Sequence, residues 1–161
     1  MASTLPATPN PIAANLWSDG HNAPEWATSL PRPKSYPAHI EASDLAELIH
    51  TKEAGKDFLV VDVRRNDWEN AFVRTAINLP AQSFHQSLPA LIPLLSPVPI
   101  VVFHCNSCTA TGRGPRIAAW YQDGLNERGI KTSEARILTG GIKGWVAQYG
   151  EEADLTVKLS H

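Results

Sequence analysis

Val98-Pro99-Ile100-Val101-Val102-Phe103-His104-Cys105-Asn106-Ser107-Cys108-Thr109-Ala110-Thr111-Gly112-Arg113-Gly114-Pro115-Arg116 is the stretch on which the fold turns. Val98 to Phe103 is short, β-branched and bounded by Pro97 and Pro99, the pattern of a central strand buried on both faces. From His104 the composition turns polar, and a helical pattern then opens from Gly114 or Pro115. Ile117, Ala118, Trp120, Tyr121 and Leu125 fit that helix, with Pro115 suited to its first turn and Gly129 to its stop. Strand, loop and helix bring loop N–H groups and the positive end of a helix dipole to one point. Such a point lowers a thiol pKa and, with Arg113, holds an anion.

Working outward, Phe58 to Val63 is a second buried apolar run, and Ala76 to Leu79 a weaker strand ending at Pro80. Ser43 suits the N-cap of a helix carrying Leu45, Leu48 and Ile49, which Gly55 would stop. Ser83 to Leu95 has helical spacing, but Pro89 and Pro93 predict a kink or two short helices. Ala135 to Leu138 reads as a last strand, and Gly140-Gly141 turns the chain into a helix holding Ile142, Trp145, Val146 and Tyr149. Strands alternating with helices predict an α/β fold with a largely parallel sheet. Residues 1–40 hold more than half of the prolines and show no periodicity; they read as an arm. Its Trp17 and Trp26 predict that part of it docks along the domain. The expected division is an arm at 1–40, a domain at 41–150 and a polar, loosely packed tail at 151–161.

With 161 residues, 43% of them hydrophobic, the chain has material for one ordinary core. A net charge of −2 gives no general attraction to nucleic acid or to an anionic membrane, so neither is an expected partner. Two cysteines three positions apart exclude a disulfide scaffold. Met1 to Pro11 lacks a basic flank and an apolar core, and no run approaches the roughly 18 apolar residues of a membrane span. A cytoplasmic or nuclear setting with free thiols is expected. No cofactor and no metal are expected, since there is no dinucleotide fingerprint, no nucleotide loop and only one CxxC.

The candidate catalytic residues are Cys105, Cys108 and Arg113. Cys105, at the strand end, is placed to be a thiolate nucleophile. A cysteine there is often mere packing, but packing has no need for a polar loop backed by two arginines. Cys108 is a second actor that could resolve an adduct on Cys105 as a disulfide forms; it is also an alternative primary nucleophile. Candidate substrate contacts are Asn106, Ser107, Thr109, Ala110, Thr111, Gly112, Arg113, Gly114 and Arg116. The expected partners are a small anionic substrate and a thiol acceptor or reductant. Asp62 and Arg64 read as a structural ion pair, and His104 as a hydrogen-bonded structural histidine.

Val60-Val61-Asp62-Val63-Arg64 resembles the first strand motif of rhodanese domains, and Leu138-Thr139-Gly140-Gly141-Ile142-Lys143-Gly144-Trp145 resembles their closing motif. The resemblance covers about Ser43 to Gly150 and implies a central, mostly parallel sheet with helices on both faces. Within that superfamily, His104-Cys105 with Arg113-Gly114-Pro115-Arg116 is similar to the cell-division-cycle dual-specificity phosphatases and the eukaryotic arsenate reductases. Those relatives place five residues between nucleophile and arginine and single-domain sulfurtransferases four, whereas seven stand between Cys105 and Arg113 and four between Cys108 and Arg113. The relatives' glycine-histidine motif is replaced here by Ala71-Phe72-Val73-Arg74-Thr75-Ala76.

The first functional expectation is a sulfurtransferase carrying sulfur as a persulfide on Cys105, because the CxxC pair suits sulfane transfer and dithiol release. A phosphatase or arsenate reductase using Cys105 and Arg113 on an oxyanion is the alternative, favoured by Arg-Gly-Pro-Arg and opposed by the longer loop and the lack of an acid within it. A rhodanese-like binding module with an inert loop is the third.

Overall fold

The computed structural model describes Trp17 and residues 23–159. Among these described residues are seven strands: β1 (His39–Ile40), β2 (Phe58–Asp62), β3 (Ala71–Val73), β4 (Ala76–Asn78), β5 (Ile100–His104), β6 (Glu134–Leu138) and β7 (Thr156–Lys158). Four α-helices join them: α1 (Ala42–Thr51), α2 (Ala81–Leu95), α3 (Arg113–Glu127) and α4 (Gly141–Tyr149). The main sheet has the order β1-β6-β5-β2-β4, with every pair parallel. The expected central position of the strand before Cys105 is what β5 occupies.

Alternation along the strands splits the core in two. Val61, Val63, Val101, Phe103 and Ile137 pack with Phe84, Leu88 and Ile92 of α2 and Ile117, Tyr121 and Leu125 of α3. Val60, Ile100, Val102 and Leu138 face the other way, onto Leu45 and Leu48 of α1 and Ile142 and Trp145 of α4. Both faces of the sheet are therefore covered, as a parallel sheet requires. The fold is α/β with helices on both faces, as the sequence implied.

Four details depart from the sequence reading. α1 starts at Ala42 after Glu41, so Ser43 lies inside its first turn and supplies no cap, and the helix ends at Thr51, ahead of Gly55. α2 runs unbroken through Pro89 and Pro93. Phe84, Leu88, Ile92 and Leu95 hold its buried stripe to the sheet, while both prolines lie on the exposed face, where solvent serves the carbonyls they leave unpaired. Strand β1 pairs with β6 and draws residues 39–40 of the expected arm into the sheet. The expected loose tail is instead pinned: Leu155 and Thr156 are buried, and β7 pairs antiparallel with β3. The Trp145 indole N–H donates to Thr156 Oγ1 at 2.9 Å, a polar partner that the sequence pattern did not signal.

Part of the arm is docked, and the rest lies outside the described residues. Trp17 is buried, and the Trp120 indole N–H donates to Pro31 O at 2.9 Å. Asp123 of α3 accepts from the backbone N–H groups of Lys34 and Ser35 at 2.8 and 3.0 Å. The reading of Met1 to Pro11 likewise concerns residues outside that range. Among the described residues, no helix is long and apolar enough to cross a membrane.

Candidate active site

β2 and β5 are neighbours in register, with Asp62 beside His104, so the loops that follow them open side by side at the carboxyl edge of the sheet. That edge is where parallel α/β sheets bind ligands. Cys105 follows β5 directly, and Cys108, in the left-handed region at φ 53°, turns the loop back so that the two sulfurs lie 3.9 Å apart. The Cys105 N–H donates to Cys108 Sγ at 3.4 Å. A turn closed by Gly112 N–H donating to Thr109 O at 2.8 Å leads into α3. The backbone N–H groups of Gly114, in the first turn of α3, and of Cys108 lie near enough to the Cys105 sulfur to favour its thiolate. A Cβ on Gly114 would lie 2.9 Å from Cys108 Sγ, so only glycine lets the helix approach this closely.

The closing motif holds the loop from behind. Ile142 N–H donates to Cys105 O at 3.0 Å and Lys143 N–H to Asn106 O at 2.9 Å, so two N–H groups of the first turn of α4 grip the loop carbonyls. Gly141, at φ 57°, makes the approach possible, because a Cβ there would stand 2.5 Å from Asn106 O.

The two thiols are electrostatically unequal. A hydrogen bond from Cys108, two backbone N–H groups and the charge of Arg113 hold the Cys105 thiol well below its ordinary value, against the opposing effect of burial. The same hydrogen bond, together with burial, pushes Cys108 up. This inequality suits Cys105 to the thiolate form and Cys108 to the protonated one. Iodoacetamide is expected to modify Cys105 first, at a rate that stays flat from pH 8 down to well below the free-thiol value of about 8.5. Peptide mapping across pH checks this; two cysteines reacting together with midpoints near about 8.5 would contradict the assignment.

Arg113 is committed to a residue the sequence reading did not select. Its Nη1 and Nη2 donate to Asp67 Oδ1 and Oδ2, at 2.9 and 2.5 Å, and the Asn106 side-chain amide donates to Asp67 Oδ2 at 2.7 Å. This bidentate pair holds the Asp67 carboxyl far below the usual carboxylate range. Asp67 belongs to the polar run after β2, and the one available signal was that β2 and β5, as neighbours, must open together. Arg64 fixes that run: it pairs with buried Asp62 at 2.8 Å and donates to the carbonyls of Asp67, Glu69 and Ala71. A groove of about 450 Å³ opens beside Asp67 and Asn106, lined also by Ile142, Lys143 and Val146.

The remaining candidates divide. Ser107, Thr109 and Ala110 are exposed on the loop, with Thr111 and Gly112 half-buried behind them. Arg116 leaves the loop altogether: it is buried, and its guanidinium lies 4.9 Å from the Trp17 ring in a cavity shared with the arm. It lies a turn further along α3 than Arg113, away from the loop and against the docked arm. His104 Nδ1 bonds to Cys105 O at 3.0 Å, the structural position expected of it. Among the described residues, no group of three His, Cys, Asp or Glu side chains converges as a metal site.

A parallel α/β sheet with helices on both faces, and a cysteine cradled between the central strand and a helix N-terminus, defines the class of protein. The rhodanese-like domain family matches residues 41–148, and the chain belongs to that family. Arsenical-resistance protein 2 of Saccharomyces cerevisiae is 36% identical over 115 residues, which cover 66% of this chain and 85% of that one. Among solved structures, Ygr203w, a yeast protein tyrosine phosphatase of the rhodanese family, matches with a TM-score of 0.60 at 20% identity, covering 74% of this chain and 90% of that one. An As-Sb reductase from Leishmania major matches with a TM-score of 0.61 at 24% identity, covering 76% and 86%. At these identities the two structural matches speak to the fold.

Proposed function

We propose that this chain is a thiol-dependent reductase of arsenate, with Cys105 as nucleophile, Cys108 as resolving thiol and Arg113 as the cation that receives the oxyanion. The observation that carries the reading is the dithiol: one sulfur held as thiolate and the other protonated, 3.9 Å apart at the start of α3. Ester hydrolysis needs only the first thiol, whereas reduction by two electrons needs a second, which Cys108 is placed to supply. The identity with arsenical-resistance protein 2 of yeast supports the same substrate. Persulfide sulfurtransfer, the first expectation from the sequence, would use the same thiolate and becomes the second reading, favoured by the CxxC pair alone.

In the proposed cycle, Arg113 exchanges Asp67 for arsenate, and the Gly114 and Cys108 N–H groups face the incoming oxygens. The Cys105 thiolate attacks arsenic, and one arsenate oxygen leaves as water after taking up protons. Cys108 then attacks the Cys105 sulfur. The S–S bond forms, the S–As bond breaks and its electron pair stays on arsenic, which departs as arsenite. One arsenate and two thiols give one arsenite, one disulfide and one water. An external thiol reductant regenerates the loop.

The test is a single turnover without external reductant. Reduced protein mixed with arsenate is expected to yield one arsenite per chain and to lose two hydrogens in mass. Cys108→Ser is expected to accumulate an arsenic adduct on Cys105, because release is lost and attack is kept. If arsenate is left unchanged while thiosulfate adds sulfur to Cys105, the reductase reading falls to sulfurtransfer.

A further inference from the structure

The two sulfurs also have the spacing of a bidentate soft-ion site. An ion about 2.3 Å from each of two thiolates, as zinc binds them, spans about 3.8 Å between sulfurs at a tetrahedral angle. The Cys105–Cys108 separation is 3.9 Å, in a loop already bent to face one sulfur toward the other. Zinc itself is a poor occupant, since it takes four ligands and, among the described residues, no third His, Cys, Asp or Glu joins the pair. A trivalent pnictogen hydroxide is a better one: it is soft and satisfied by two thiolates and one hydroxide, and its narrower pyramidal angle asks the two sulfurs only to draw slightly closer.

We infer that the reduced Cys105–Cys108 pair is a chelating site for trivalent arsenic, so that the protein retains the product of its own reaction whenever the loop is in the dithiol state. The choice of ion rests on the reduction proposed above; the spacing of the sulfurs does not. Binding is a condensation without net redox change: arsenous acid and two thiols give two As–S bonds and release two waters, and arsenic remains trivalent throughout.

The geometry orders the two states of the loop. At the end of turnover the sulfurs are joined to each other, no thiolate is free, and arsenite leaves. Reduction by the external thiol then recreates the site while arsenite is still near. Both cysteines are buried, at 5% and 8% exposure, so a captured ion is shielded from competing thiols in solution. Arsenite would accordingly act as a product inhibitor whose effect depends on how fully the loop is reduced.

The experiment uses the full reduced chain and sodium arsenite, with no arsenate present. Native mass spectrometry after gel filtration is expected to show one arsenic per chain, and both thiols should become unreactive to Ellman's reagent. Cys105→Ser and Cys108→Ser should each weaken retention at least about tenfold, since the second bond of a chelate forms at high effective concentration. The disulfide form should bind none. Independently of any variant, the Tm of the reduced parent should rise with arsenite concentration. A parent that leaves gel filtration with two free thiols, or a Cys108→Ser chain that retains arsenite as well as the parent, overturns the inference. Arsenate turnover is measured separately, so reduction without retention defeats this inference alone, and retention without reduction upholds it while ending the reductase reading.

Discussion

Cys105→Ser is expected to reduce arsenate turnover to the uncatalysed level while leaving stability within about 1 kcal/mol of the parent. The chemical part follows from the step proposed for the thiolate: a hydroxyl at this position stays protonated at neutral pH and neither attacks arsenic nor supplies an electron pair for the disulfide. The structural part follows from the surroundings of the sulfur. The sulfur sits beside Cys108 Sγ and near the N–H groups of Gly114 and Cys108, a polar setting in which a serine hydroxyl is tolerated. Single-turnover arsenite release and urea denaturation together check the result. Turnover retained in this variant would transfer the nucleophile to Cys108, and a large loss of stability with activity kept would make Cys105 a packing residue.

Gly141→Ala is expected to be the most damaging change outside the thiol loop. Its backbone sits at φ 57°, and an added Cβ would stand 2.5 Å from Asn106 O and 2.8 Å from Cys105 O, both backbone atoms that cannot swing aside. Left-handed strain and the forced separation of α4 from the loop together should cost about 2–4 kcal/mol. The surviving folded protein should turn over poorly, because the carbonyls that α4 holds belong to the nucleophile and to the residue after it. Gly129→Ala is the control: its φ is 64° but nothing lies within 4 Å of the added carbon, so only the backbone strain of roughly 1 kcal/mol applies. Equal losses in the two variants, read from urea midpoints, would refute the clamp.

The elements legible in the sequence were those whose pattern is local. The β-branched run before His104, the apolar run ending at Asp62 and the apolar spacing after Pro115 each announced themselves within a dozen residues. Cys105 and Gly114 followed from the strand-loop-helix order, and they do meet. Asp67 was not legible, because its partnership with Arg113 spans two loops joined only through the pairing of β2 with β5. Arg116 misled for the opposite reason: its neighbour Arg113 faces the loop, and nothing in a linear reading reveals that a helical turn carries Arg116 toward Trp17. Pro89 and Pro93 suggested a break that burial of the opposite stripe prevents, and the tail read as loose because β3, Arg74 and Trp145, which help to pin Leu155 and Thr156, lie outside it in the sequence.

Strand β1 bears on how much of the sheet's edge is left open. Its two residues lie along the outer side of β6, and Thr139 N–H donates to Ile40 O at 3.0 Å and Ile137 N–H to Ala38 O at 3.0 Å. Without this short cover, β6 would present its backbone donors and acceptors as an open rim of the sheet, a template for any extended segment of another chain. The stretch that matches the family begins at residue 41, one position after β1 ends. The residues that cover this part of the rim, opposite Ile137 and Leu138, thus lie just outside the matched stretch.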